Sequence, residues 1–194
     1  IELKEELKDQ KGLRELYGSY LNVLIMSGKM DEAEKLVKKS LKTHQSQKDM
    51  QALMMDYRNL GNISLQKTDW LNAEKNYLKA LEINTQSDNK AEMAEDNRNV
   101  YNLYLQKEDW NQAEKFTLKS LAISEEIKDY RNVCADCRIL TNIYVEKKER
   151  SKQEIYYNKA LENSRILNDP KEILIDLRYL GKFNMERGYR EKAG

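Results

Sequence analysis

Arg58 and Asn62 stand four residues apart, and the pair returns as Arg98 with Asn102 and as Arg138 with Asn142. Four residues is about one helical turn, so each pair shares a helix face. A guanidinium can fork onto a carboxylate, and a carboxamide both donates to and accepts from a peptide backbone. Asn59 and Asn99 adjoin the first two pairs, and Arg178 continues the arginine series. This is binding chemistry rather than catalytic chemistry. A second acidic series, Asp56, Asp96, Asp136 and Asp176, keeps the same step. Residues two apart on a helix point about 200° apart, so Asp56 does not face Arg58. An aspartate of a neighbouring unit could hold an arginine instead. Two roles are therefore open for the arginines: contact with a ligand, or a ladder between units.

Other reactive residues are sparse. His44 is the only histidine and reads as a surface residue near a helix end, so no triad or histidine-rich metal site can be assembled. Cys134 and Cys137 form a single CxxC, whereas a structural zinc takes four ligands. At this spacing inside a helix, the cysteines read as core packing. There is no glycine-rich phosphate loop, and the many carboxylates read as solvated helix faces. The expectation is a chain without catalytic residues, metal or cofactor.

The elements that position these residues follow from a period of forty. "LQKTDWLNAEK" at 65–75 returns as "LQKEDWNQAEK" at 105–115. Leu41, Leu81, Leu121 and Leu161 are in register with one another and with Ile1. Ala33, Ala73 and Ala113 share a column that becomes Gln153 and then Ala193. One proline, seven glycines and 35% charged residues rich in Lys and Glu favour helix over strand. Each unit reads as two helices, about 52–67 and 70–87 in the second, with Tyr57, Leu60, Gly61 and Ser64 facing Trp70, Ala73, Tyr77, Ala80 and Leu81. Asp69 is the expected N-cap of the later helix, and the series Asp9, Asp49, Asn89, Asp129, Asp169 caps the first helices. Pro170 follows Asp169 at the favoured first-turn position. Gly28 and Gly188 mark the turn within a unit. Gln153, in place of a small alanine, predicts looser packing or a partly wet seam.

The stretch "YRNLGNISLQKTDWLNAEKNYLKALEIN" at 57–84 resembles the tetratricopeptide repeat. Tyr57, Leu60, Gly61, Ala73, Tyr77 and Ala80 fall on that family's signature, and the forty-residue step is similar to its longer-helix variety. The resemblance implies an all-α, right-handed superhelix (α-solenoid) of antiparallel helix pairs. It divides the chain into repeats at 10–49, 50–89, 90–129 and 130–169, with 1–9 the tail of a preceding repeat and 170–194 a partial one. Both ends then fall inside repeats, as expected for a segment of a longer array.

The resemblance also implies function: first helices line a concave face where partners lie as extended peptides. The expected peptide-binding residues are Arg58, Asn59, Asn62, Arg98, Asn99, Asn102, Arg138, Asn142 and Arg178. Neighbouring repeats about 10 Å apart match every third residue of a chain extended at ~3.3 Å each. Arg58, Asn62 and Asn99 also match part of the family's carboxylate clamp for chaperone tails, but Ala135 and Ile139 stand where its last two basic residues belong. Alternatives are a peptide-sensing domain of a larger bacterial regulator, and a structural scaffold or self-association spacer. The partner expected is a protein or peptide carrying acidic groups. A net charge of +1, from 34 basic and 33 acidic residues, argues against nucleic acid. No apolar run reaches the roughly 18–20 residues that cross a bilayer. With two cysteines and no signal-like start, the expected location is the cytoplasm.

Overall fold

The computed structural model describes residues 10–191; the expectations for 1–9, including Ile1 and Asp9, and for Ala193 lie outside them. The described residues form nine α-helices and no strand. They belong to two compact units, Ile1–Ser87 and Asp88–Gly194. The first unit holds α1 (Gln10–Met26), α2 (Met30–Gln47), α3 (Met50–Gln66) and α4 (Trp70–Gln86). The second holds α5 (Lys90–Gln106), α6 (Trp110–Glu126), α7 (Tyr130–Glu146), α8 (Arg150–Leu167) and α9 (Pro170–Glu191). Within each unit a helix packs chiefly on the helices before and after it in the chain.

The helices end where the backbone turns left-handed. Gly28, Lys48, Thr68, Asp88, Glu108, Lys128, Lys148 and Asn168 all have positive φ, one every twenty residues. Each follows the end of one helix, and the next helix begins two residues later. After Thr68, for example, the Asp69 amide donates to the Ser64 carbonyl at 2.8 Å, closing the helix end. The Asp69 side chain then accepts from the Asn72 amide at 3.2 Å and caps α4. Asp49, Asn89, Asp109 and Asp129 cap their helices in the same way. The cap positions expected from the sequence are therefore observed at Asp49, Asp69, Asn89 and Asp129.

Gly188 departs from expectation. It lies inside α9, which continues to Glu191, so no turn forms there. Tyr189 stands where Asp69 and Asp109 cap elsewhere, so the position lacks their short acceptor side chain.

The alanine column lies in the core: Ala33, Ala73 and Ala113 are fully buried. Gln153 in the same column is also buried. Its Nε2 donates to the Tyr144 carbonyl at 2.9 Å, so the amide is satisfied by a helix end. In α3 and α4, the Tyr77 ring lies on Gly61, where an added Cβ would come within 2.5 Å of ring carbons. The corresponding residues of α5 and α6 are Tyr101 and Thr117, both buried. The bulk has moved from the second helix to the first, which keeps the volume filled.

Two substitutions in α3 and α4 should have opposite signs. Gly61→Ala is expected to destabilise by about 1–2 kcal/mol, because overpacking against the buried Tyr77 ring outweighs the helix-propensity gain. Thr68→Gly is expected to stabilise by up to about 1 kcal/mol, because it relieves a β-branched residue at positive φ. Urea midpoints of the two variants check both signs.

Candidate functional site

The first helices carry a buried carboxylate at each step: Asp56, Asp96, Asp136 and Asp176 are all at most 5% exposed. A buried carboxylate is costly unless it is paired and hydrogen-bonded, so its partners determine what surrounds it. For Asp136 and Asp176 those partners are arginines thirty-eight residues earlier. Arg98 Nε donates to Asp136 Oδ1 at 3.3 Å, and Arg138 Nε to Asp176 Oδ1 at 2.6 Å. The link thus runs from α5 to α7 and from α7 to α9, one repeat forward.

The remaining nitrogens of both arginines are also used. Arg98 Nη1 donates to Glu95 at 3.3 Å and Nη2 to the Ser124 hydroxyl at 3.0 Å. Arg138 Nη1 donates to the Glu172 carboxylate at 2.6 Å, and Nη2 to the Glu172 carbonyl at 3.4 Å. The intervening second helix completes the acceptor side. Ser120 and Ser124 of α6 donate to Asp136 Oδ2 at 2.8 and 3.4 Å. Burial pushes the Asp136 carboxyl above its ordinary range, while Arg98 and Ser120 pull it back down. Asp176 is less complete. Ala160 replaces Ser120, Ser164 turns to the Leu161 carbonyl at 3.0 Å, and Asp176 Oδ2 has no partner among the described residues.

The first unit solves the same problem differently. The position thirty-eight residues before Asp56 is Gly18, which has no side chain to offer. His44 takes over: its Nδ1 lies 2.6 Å from Asp56 Oδ2, and its side chain is only 12% exposed. The sequence reading of His44 as a surface residue is therefore corrected. It sits in the column of Ser124, whose hydroxyl donates to the buried Asp136. Burial raises the Asp56 carboxyl, and His44 and Ser40 oppose that shift.

The other expected residues divide by exposure. Asn62, Asn102 and Asn142 are exposed, whereas Asn59 and Asn99 are half-buried. The Tyr77 hydroxyl donates to Asn62 Oδ1 at 2.7 Å, leaving the exposed amide NH2 as the outward group. Arg58 is half-buried and is not a free cation. Arg178 is exposed. Cys134 and Cys137 are fully buried, with their thiols pushed up to about 11 and about 12 by burial, so they pack the core as unreactive thiols. Among the described residues no helix is long and apolar enough to cross a membrane.

The sequence reading missed a second tie between repeats. Lys67 donates to Asp31 and Glu34 at 2.8 Å each, and Lys147 reaches Asn111 at 3.0 Å and Glu114. The Tyr144 hydroxyl also donates to Glu114 at 2.6 Å. The signal was available, since Lys67, Lys107 and Lys147 recur at forty residues, as do Glu34, Glu74 and Glu114.

No protein-family model matches the chain, and no curated protein matches it. Solved structures do. BtubC (BKLC) from P. vanneervenii is similar over 99% of this chain and 86% of its own, with TM-score 0.75 and 16% identity. A Podosopora anserina kinesin light chain with nearly identical TPR-like repeats is similar over 93% and 89%, with TM-score 0.73 and 12% identity. A STAND ATPase with a tetratricopeptide repeat sensor from Pyrococcus horikoshii is similar over 85% of this chain, with TM-score 0.72 and 18% identity. This chain spans 26% of that protein. At these identities the likeness shows the fold: an all-α helical-repeat solenoid whose neighbours are TPR-like proteins.

Removing Arg98 should be costly, because Asp136 is left buried beside two hydroxyls and no charge. Arg98→Ala is expected to destabilise by roughly 3 kcal/mol. Arg131→Ala, which removes a 65% exposed partner of Asp169, should cost less than about 0.5 kcal/mol. The deficit should also depend on pH. A carboxyl raised in the folded state holds its proton more tightly there, so stability falls as pH rises through the folded pKa. Without Arg98 that pKa rises further. The difference between wild type and Arg98→Ala should then shrink as pH is lowered from 8 towards 5. Urea unfolding across that range, followed by helicity, measures it.

Proposed function

We propose that this chain is a protein-interaction module of tetratricopeptide type, built from forty-residue repeats at 10–49, 50–89, 90–129 and 130–169 with a partial one at 170–194. It binds an extended polypeptide along its first helices. The observation that carries this reading is the exposure of Asn62, Asn102 and Asn142 at one recurrent position, each able to match a backbone amide. Asn59 and Asn99 border that line. Arg98 and Arg138 contribute by holding the helices in place, since an acidic ligand would have to displace Asp136 or Asp176 from them. Arg178, which is exposed, is the arginine of the series left to meet acidic groups of the partner. The tetratricopeptide sensor of the STAND ATPase supports the sensing form of this reading, in which peptide capture regulates a larger protein.

The test is selection of random decapeptides displayed on phage by the immobilised chain. Each selected peptide is then retitrated against Asn102→Ala combined with Asn142→Ala. Two lost amide contacts should weaken binding at least tenfold, about 1.4 kcal/mol. Equal affinity for the variant, or no peptide selected by the wild type, would reject the asparagine line as the binding surface and favour a scaffold role.

A further inference from the structure

The arginine missing before Asp56 leaves a space. A cavity of about 120 Å³ lies beside Gly18, lined by Tyr17, Leu21, His44, Met55, Asp56 and Asn59 among others. Its walls are mainly aliphatic and aromatic, and one wall is a carboxylate 95% removed from solvent by its 5% exposure. The second unit shows twice what sits against an aspartate at this position: the guanidinium of Arg98 on Asp136, and that of Arg138 on Asp176. In both, arginine Nε meets Oδ1. At Asp56 the oxygen engaged by His44 is Oδ2, the one that takes Ser124 at Asp136. Oδ1 is thus the oxygen equivalent to the arginine acceptor. Gly18 is exposed, and a Cβ added to it would meet nothing within 4 Å, so the route an arginine stem would follow is open.

We propose that this cavity is a binding site for an arginine side chain of a partner polypeptide, which enters past Gly18 and sets its guanidinium on Asp56 as Arg98 does on Asp136. The chemistry is that of the ladder with the cation supplied from outside. Asp56 gives a planar carboxylate acceptor, the apolar walls cover the stem methylenes, and Tyr17 and Asn59 border the cavity. Lysine is a poorer fit, because an ammonium cannot present a forked pair of donors to the carboxylate. The site uses none of Asn62, Asn102 and Asn142 and shares only the bordering Asn59 with that line, so it stands or falls independently of the peptide reading above.

The experiment titrates N-acetyl-arginine methylamide into the full isotope-labelled chain and follows the amide of Gly18 and the methyl groups of Leu21 and Ala52 by NMR. Saturable shifts are expected, at least tenfold weaker with the isosteric citrulline derivative and weaker again with the lysine derivative. Free arginine should bind no more tightly than the blocked form. Tenfold tighter binding of free arginine would overturn the assignment to a polypeptide side chain. Gly18→Arg should supply the cation internally. It should abolish the shifts and raise the thermal midpoint by several degrees beyond Gly18→Ala, which isolates the helix-propensity gain. Asp56→Asn, which keeps the cavity but not its charge, should weaken binding at least tenfold. Asn102→Ala with Asn142→Ala should leave it unchanged. No saturable shift in the wild type, or equal binding by citrulline or by Asp56→Asn, overturns the proposal.

Discussion

A carboxylate buried once in each first helix from α3 to α9 is the constraint on which the rest of this structure depends. Removing Asp136 from water entirely is tolerable only because Arg98 reaches it from one repeat away and two serines reach it from the helix between. That requirement fixes three elements against one another: α5 supplies the cation, α6 the hydroxyls and α7 the anion. Apolar contacts alone would let neighbouring helices slide with small loss. A charged pair with directed hydrogen bonds has one register, which gives the aspartate column a role in specifying the stacking rather than in raising stability as such.

The same constraint separates the polar columns by function. Arg98 and Arg138 have every nitrogen committed within the chain, so they serve the architecture. Four residues further along the same helices, Asn102 and Asn142 project outward with amides available. Helices α5 and α7 thereby each carry an inward-acting polar residue and an outward-acting one, a turn apart. Turns contribute little to this placement except regularity. A left-handed residue every twenty positions, followed in most repeats by a short capping side chain, holds α1 to α8 to 17 or 18 residues and keeps the columns in step.

Much of this was legible in the sequence because period and helical geometry act locally. The caps at Asp49, Asp69, Asn89 and Asp129 depend on residues within three positions, and the alanine column depends on size alone. Partners across repeats were harder to read. A forty-residue period shows that Arg98 and Asp136 belong to columns, but it does not show whether the arginine faces a ligand or the next aspartate; only packing decides that. His44 was misread for a related reason. Its burial follows from what Gly18 lacks, and the consequence of a missing side chain appears only once the neighbours are in place. At Gly188 the error was one of analogy. A glycine in the turn column does not by itself end a helix: Gly28 does so ahead of Lys29, whereas Gly188 lies within α9. Gln153 shows that an odd residue in a packed column can be satisfied by a carbonyl at a helix end, which no pattern of residue types reveals.

The most direct test of the account is a double-mutant cycle on Arg138 and Asp176, using Arg138→Ala, Asp176→Ala and the combination, each unfolded in urea at pH 7. If the ladder fixes the stacking, the two losses are strongly non-additive, with a coupling of about 1.5 kcal/mol or more. Additive losses, with coupling near zero, would mean that the buried aspartates and the arginines act independently. The ladder would then not be the interaction that sets the register of these helices.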